Sequence, residues 1–431
     1  MATAVPPYAL PIGSRPPPKG STFLRTLGFA LVFDVAILCI HGTQYLVWPL
    51  KFINKRLFER GNRWIKGGFG VLMVLTCQWF APTQFVITTE GMDDSMIVKD
   101  AAGKVVGLQL PEKLVMMSNH QVYLDWWYLW AFTYFLNMHA YVIIMLKKSL
   151  KWVPVVGWGM QFFGFIFMAR SWVADRLILE KELTRLGEQT QKRDSPLFLM
   201  IFPEGTLVSK DTRPLSKKYA DKVGLDDLTH TLLPRSTGLH FSLRALAPYI
   251  PSLHLLDITI GYPGVPPAGF GQAYYTIRSV FFQSTPPPAV HLHLRIYQVQ
   301  RDVPIGHVRP GGHGQIESTD SEKTIFDKWL TDRWREKDRL MDGFYRDGKF
   351  TSSESKPKES SAKTEVGSIS SAFGDIKATN GNGNGHVMKG DEAMVIPIET
   401  RSAVDVLDAF CYGFPGWLLW AFIKARRSMR G

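Results

Sequence analysis

Cysteine is scarce in this 431-residue chain: Cys39, Cys77 and Cys411 stand far apart, each inside an apolar stretch. There is no CxxC pair and no Cys/His ladder, so structural disulfides and a cysteine-held metal are both unexpected, and a reducing compartment fits. Acid is also in short supply. Fifty Lys and Arg against 38 Asp and Glu leave a net charge of +12. Such an excess suits an anionic partner: nucleic acid, an acidic membrane surface or a phosphorylated ligand. No helix-turn-helix, zinc-finger or ribonucleoprotein motif is present, so nucleic acid is not expected. Internal repeats are missing too. A mean hydropathy near zero argues against a polytopic transporter, yet 45% hydrophobic and 13% aromatic content is rich for a soluble protein. Together these describe a globular domain with a few greasy segments attached.

What is there begins with a Pro-rich stretch, residues 1–22, expected to be disordered. Residues 27–49 are almost wholly apolar, close to the ~20 residues that span hydrocarbon. Trp48 stands where an interface belt would be. The run is longer than a signal-peptide h-region and lacks a small-residue cleavage site, so an uncleaved anchor is expected. A basic connector follows, with Lys51, Lys55, Arg56, Arg60, Arg63 and Lys66 against Glu59 alone. It reads either as a grip on anionic lipid or as a solvated charged face. Residues 68–80 are apolar but short for a span, which suggests a re-entrant or interfacial helix.

From residue 85 the pattern changes. Runs at 85–89, 114–117, 163–168, 197–202, 253–260 and 290–297 read as strands; 126–146 and 173–186 read as helices. Alternation of this kind predicts an α/β fold with a mostly parallel sheet flanked by helices. Residues 324–344 form a late helix whose default role is core packing. Residues 351–391, rich in Ser, Lys, Gly and Asn, read as a disordered linker. A greasy tail at 404–423 ends in Lys424, Arg426, Arg427 and Arg430, which suggests a second membrane contact.

Ser118 to Asp125, read as Ser-Asn-His-Gln-Val-Tyr-Leu-Asp, lies between one of these strands and a helix. On a single helix, residues five apart point about 140° away from each other. His120 and Asp125 can therefore meet only if the histidine sits in the turn and the acid in the first helical turn. Asp125 would then orient the imidazole, leaving its other nitrogen to take a proton. The competing reading is a helix-starting Asn beside a satisfied histidine. Phe202-Pro203-Glu204-Gly205-Thr206 is a tight turn at a strand end, holding an acid and a hydroxyl. Arg170, closing Gly-Phe-Ile-Phe-Met-Ala-Arg, and Arg235, in Leu-Leu-Pro-Arg-Ser-Thr-Gly, are forks suited to phosphate oxygens.

NHQVYLD, GFIFMAR, FPEGT and LLPRSTG, in this order, resemble the four blocks of the glycerolipid acyltransferase family, which includes the 1-acylglycerol-3-phosphate acyltransferases. The resemblance covers roughly residues 85–300. It implies His120 as base and Asp125 as its orienter. It implies Arg170, Glu204, Gly205 and Thr206 as glycerol-phosphate binders, with Pro234 near the acyl-donor site. Many members that use a phosphomonoester acceptor have an arginine after Glu-Gly-Thr; this chain has Leu207. That departure favours a phosphodiester headgroup such as inositol, unless Lys210, Arg213, Lys217 and Lys218 compensate. DRLILEKEL at 175–183, with the proline block, is similar to the branch holding lysocardiolipin and lysophosphatidylinositol acyltransferases.

The organisation so implied is a tail at 1–22, membrane-anchoring helices at 23–83, an acyltransferase domain at 84–350, a linker at 351–392 and a membrane-associated segment at 393–431. The partners are a lipid bilayer, a lysophospholipid and acyl-CoA as co-substrate. No cofactor and no metal are expected. The location is a membrane, with the endoplasmic reticulum as the expected one. Synthesis of phosphatidic acid is the nearest alternative; a lipid hydrolase or a non-catalytic scaffold belongs to other classes. A base in this role must be unprotonated, so activity is expected to fall in acid.

Overall fold

Five strands running side by side in one direction carry the centre of the fold. The computed structural model describes residues 5–18, 20–101, 105–308, 316–351 and 393–411. The chain opens with α1 (Thr22–Val47), the short α2 (Leu50–Ile53) and α3 (Lys55–Phe80). Next come β1 (Gln84–Thr89), a small hairpin of β2 (Ile97–Lys99) and β3 (Val105–Leu108), β4 (Lys113–Ser118), α4 (Asp125–Phe135) and β5 (Val142–Lys147). After them lie α5 (Val156–Phe162), β6 (Ile166–Met168), α6 (Trp172–Arg193), β7 (Leu197–Ile201), α7 (Arg213–Val223) and α8 (Ser236–Leu246). The described chain closes with β8 (His254–Gly261), β9 (Val290–Gln298), α9 (Val299–Asp302), α10 (Asp320–Asp347), β10 (Met394–Pro397) and α11 (Ala403–Ala409).

The large sheet has the order β10-β1-β9-β8-β4-β7-β5-β6. From β8 across to β6 every neighbour is parallel. β9 turns antiparallel to β8, and β10 antiparallel to β1. Strands buried on both faces read as unbroken apolar runs, as Leu114–Met117 and Leu197–Ile201 do, because helices cover each side. Alternate residues divide between two cores. Leu114, Met116, Phe198 and Met200 face the cluster built with α3 and α4; Val115, Met117, Leu199 and Ile201 face the one built with α6, α8 and α10. The sheet is mostly parallel and flanked by helices, as expected.

Four expectations change. The helix expected at 126–146 stops at Phe135; Asn137 turns back with φ +59, and Val142–Lys147 is a strand between β7 and β6. An uninterrupted apolar run does not distinguish the two by periodicity, and the β-branched Val142, Ile143 and Ile144 favour extension. The strand expected at 163–168 is only Ile166–Met168, because Gly164 turns with φ +74 before it. Residues 68–80, expected to meet the bilayer, belong to the core: the face of α3 from Ile65 to Cys77 is buried against protein. Among the described residues a single helix, Thr22–Ile53, is long and apolar enough to cross a membrane, with Phe23, Leu24, Leu27, Leu31 and Leu38 exposed along it. Residues 5–18, expected to be disordered, form two short turns, and Arg15 donates to the Tyr274 carbonyl at 2.6 Å.

Residues 352–392 of the linker expected at 351–392, and tail residues 412–431, lie outside the described residues. What lies between them docks. β10 covers the free edge of β1, and Arg401 reaches Asn137 Oδ1 and the Tyr134 carbonyl. α11 rests on α3 at Gly68, where an added Cβ would stand 2.4 Å from the Asp408 carbonyl oxygen. Gly68→Ala is therefore expected to lift α11 at a cost of about 1–3 kcal/mol. A lowered melting temperature together with faster tryptic cleavage after Arg401 would report it; unchanged protection of Arg401 would refute it.

Candidate active site

Four N–H and O–H donors converge on the buried carboxylate of Asp125. This residue opens α4, one turn after β4 ends. Its Oδ2 accepts from the Gln121 and Val122 backbone N–H groups at 2.6 and 3.0 Å and from His120 Nδ1 at 2.7 Å. Its Oδ1 accepts from the Tyr262 hydroxyl at 2.6 Å. The histidine lies in the turn and the acid in the first helical turn, the one arrangement in which residues so spaced can meet. With Nδ1 holding the proton, Nε2 is left as an acceptor, and it makes no hydrogen bond among the described residues. The imidazole stacks on Phe202, centroids 4.5 Å apart, and keeps about a fifth of its side chain open to solvent.

Neighbouring strand ends bring the other blocks to this point. Met117 of β4 stands opposite Ile201 of β7, so the turns that follow them are adjacent. Glu204 is buried, and its carboxylate accepts from His120 N at 3.3 Å, Leu232 N at 3.2 Å and Trp334 Nε1 at 3.2 Å. One acid thus ties together the His120 turn, the loop before Pro234 and helix α10. Burial pushes this carboxyl up to about 8, with the three donors pulling against the rise. Gly205 has φ +71, a left-handed turn that glycine makes without strain. It is exposed beside the side chain of Arg235, whose N–H donates to the Pro203 carbonyl at 2.8 Å and whose guanidinium lies over the Tyr219 ring. Thr206 is half-buried in the same turn, and Val208 N donates to the His120 carbonyl at 3.0 Å. Pro234 is buried at the entry to α8.

Arg170 stands apart. It follows β6, three strands from β4, roughly 14 Å across the sheet. Its φ of +65 is unusual for a residue with a side chain, and buried Asp175 holds the turn by accepting from Ala169 N and Ser171 N at 2.7 and 3.0 Å. Strain maintained in this way is common where a side chain must be presented. Leu207 is buried, and of the four cations that might replace an arginine there, two are committed. Arg213 donates to the carbonyls of Leu228, Thr229 and Thr231, while Lys217 pairs with Asp221 at 2.8 Å. Lys210 and Lys218 are exposed.

Sequence reasoning missed Tyr262, Asn119 and Trp334. Asn119 pairs its side-chain amide with both backbone groups of Ile260, fixing the turn to β8. Tyr262 directly follows β8, and that position was its only signal. Burial first, then the charge of Asp125, holds its hydroxyl protonated well above the ordinary tyrosine range, so it remains a donor.

Comparison with known proteins agrees with this geometry. Residues 104–259 match the family model described as Acyltransferase, and residues 316–369 the one described as Acyltransferase C-terminus. An uncharacterized acyltransferase of Schizosaccharomyces pombe is 32% identical over 327 residues, 76% of this chain and 87% of that protein. The chain belongs to the glycerolipid acyltransferase family. The 2-acyl-1-lysophosphatidylinositol acyltransferase of Saccharomyces cerevisiae is 35% identical over 315 residues, covering 66% of this chain and 75% of its own length. Lysocardiolipin acyltransferase 1 of Gallus gallus is 28% identical over 67% of this chain and 70% of its own. The protein is thus an acyltransferase, with relatives that acylate lysophospholipids.

Two outcomes test the carboxylate anchors. Tyr262→Phe removes one donor from Asp125 and is expected to lower turnover about tenfold while the fold persists; unchanged turnover would count against a positioning role. Folded Glu204 keeps its proton where the unfolded carboxyl has lost it. Its contribution to stability is then full below about 4.5, the ordinary value, and lost as pH rises to about 8. Relative to Glu204→Gln, the wild-type melting temperature should fall between about pH 5 and pH 8; a constant gap would mean the carboxyl is already ionised at the lower pH.

Proposed function

We propose that this enzyme is an acyl-CoA-dependent O-acyltransferase that acylates the free glycerol hydroxyl of a lysophospholipid with a phosphodiester headgroup, lysophosphatidylinositol being the first choice. The carrying observation is the His120–Asp125 pair, with Nε2 left as an acceptor. Nε2 removes the proton from the lysolipid hydroxyl as its oxygen attacks the thioester carbonyl. The tetrahedral intermediate collapses, the C–S bond breaks, and the imidazolium returns the proton to the departing thiolate. The substrate supplies the nucleophile, so no acyl-enzyme forms. Asp125, held by four donors, keeps the tautomer and the ring plane through both proton transfers.

Arg235 beside Gly205 and Thr206 is the proposed nearer contact for the lipid phosphate. Arg170, held in a strained turn three strands away, would reach a group at the far end of a long acceptor. Leu207, with Arg213 and Lys217 committed elsewhere, supports a diester over a phosphomonoester dianion. The lysophosphatidylinositol acyltransferase of yeast, similar over 66% of this chain, supports the same choice. The proposed location is the membrane of the endoplasmic reticulum. A span-length helix keeps the site at a lipid surface, and acceptor and acyl chains need not leave the bilayer.

A panel of lysolipids offered with labelled oleoyl-CoA to the purified protein in detergent tests this reading. Diacyl product is expected to be greatest with lysophosphatidylinositol, and His120→Ala is expected to lose at least about a hundredfold in turnover with an unchanged melting temperature. Preference for lysophosphatidic acid would move the protein to phosphatidic acid synthesis. Free fatty acid as the main product would make it a hydrolase.

A further inference from the structure

A cavity of about 770 Å³ opens at the end of the sheet away from His120. Its floor is the starts of the parallel strands, at Ile143, Ile166 and Leu197. The dyad lies beyond the ends of β4 and β7, so roughly 16 Å of strand separates the two. Six cations line this cavity against two carboxylates: Lys51, Lys55, Arg63, Lys66, Arg185 and Arg193 against Glu59 and Glu182. Those two acids are already engaged, Glu59 with Arg193 and Glu182 with Arg185 at 2.7 Å.

The remaining positive charge is poorly compensated. Lys66 is buried, and its ammonium donates to the Val142 carbonyl at 3.0 Å. Burial, reinforced by the nearby Arg63 and Arg185 guanidiniums, pushes it down to about 7. Arg63 lies over the Tyr141 ring, 5.0 Å from its centre. Asn62 donates to the Phe162 carbonyl, but its buried Oδ1 has no donor among the described residues. The pocket therefore offers several cations and one acceptor that lacks a hydroxyl or N–H.

Its position narrows the occupant. Tyr45 and Trp48, near the end of the span-length helix, form part of the wall, and Lys51 and Lys55 follow directly. Aromatic then basic residues at the end of a span mark headgroup depth. We propose that this cavity binds an intact anionic phospholipid as a second, non-catalytic site, with the phosphate at Arg63 and Lys66, a headgroup hydroxyl at Asn62 and the acyl chains along α1. The site is independent of the acyl-transfer reading. It would fix the helical anchor to the sheet edge through a bilayer component.

Native mass spectrometry of the full chain, released from detergent with phosphatidylglycerol or with phosphatidylcholine of the same chains, tests it. Phosphatidylglycerol should be retained and phosphatidylcholine lost. Arg63→Gln should weaken retention about tenfold, and the exposed Lys51→Gln should weaken it in the same direction. His120→Ala, and Arg346→Gln on the exposed face of α10, should leave it unchanged. Equal retention of the two lipids would overturn the proposal, as would wild-type retention by both cavity variants. Displacement of the lipid by free coenzyme A would also overturn it and assign the cavity to the thioester; displacement by inorganic phosphate would reduce it to a phosphate site.

Discussion

One buried carboxylate organises the candidate site of this protein. Taking Asp125 out of water is costly, and the cost is met only because four donors arrive from separate parts of the chain. Two are backbone groups of the turn itself, one is the imidazole, and one is a phenol at the end of β8. The orientation of His120 is therefore set by the spacing between two parallel strands, β4 and β8, which the sheet holds rigid. Glu204 repeats the device one strand over, tying the same turn to β7, to the Pro234 loop and to α10 through three N–H groups. Structural support is what the three donors show at this residue, which sequence alone offered simply as a contact for substrate.

The central strands and the meeting of His120 with Asp125 were legible because their signals are local. A buried parallel strand is an apolar run, and a His and an Asp five apart at a strand end admit few geometries. Tyr262 and Asn119 were not legible in the same way. Their partners are more than 130 residues distant, and no spacing rule connects a tyrosine after β8 with an aspartate opening α4. The helix expected over 126–146 failed for a different reason: aromatic and β-branched residues are equally apolar, and the break at Asn137 depends on a left-handed backbone that asparagine tolerates but does not announce.

Hydrophobicity carried two meanings in this chain, and only burial separates them. α1 and the second half of α3 are both greasy. α1 turns a row of large side chains outward, whereas α3 is enclosed by α1, α4 and α11 and belongs to the core. The charges divide likewise. Lys51, Lys55, Arg56 and Arg60 remain exposed, as a basic connector should, while Lys66, on α3 with the last three of these, has passed inside.

The outermost strand of the large sheet has a consequence for biosynthesis. β10 is paired to β1, yet the two lie at residues 394–397 and 84–89, so every other strand leaves the ribosome before this pairing can form. Until then β1 offers an open row of amides and carbonyls, the kind of rim to which a neighbouring nascent chain can add. Completion of the sheet is thus a late event in translation, and closing so long a loop carries an entropic charge that grows only as the logarithm of its length.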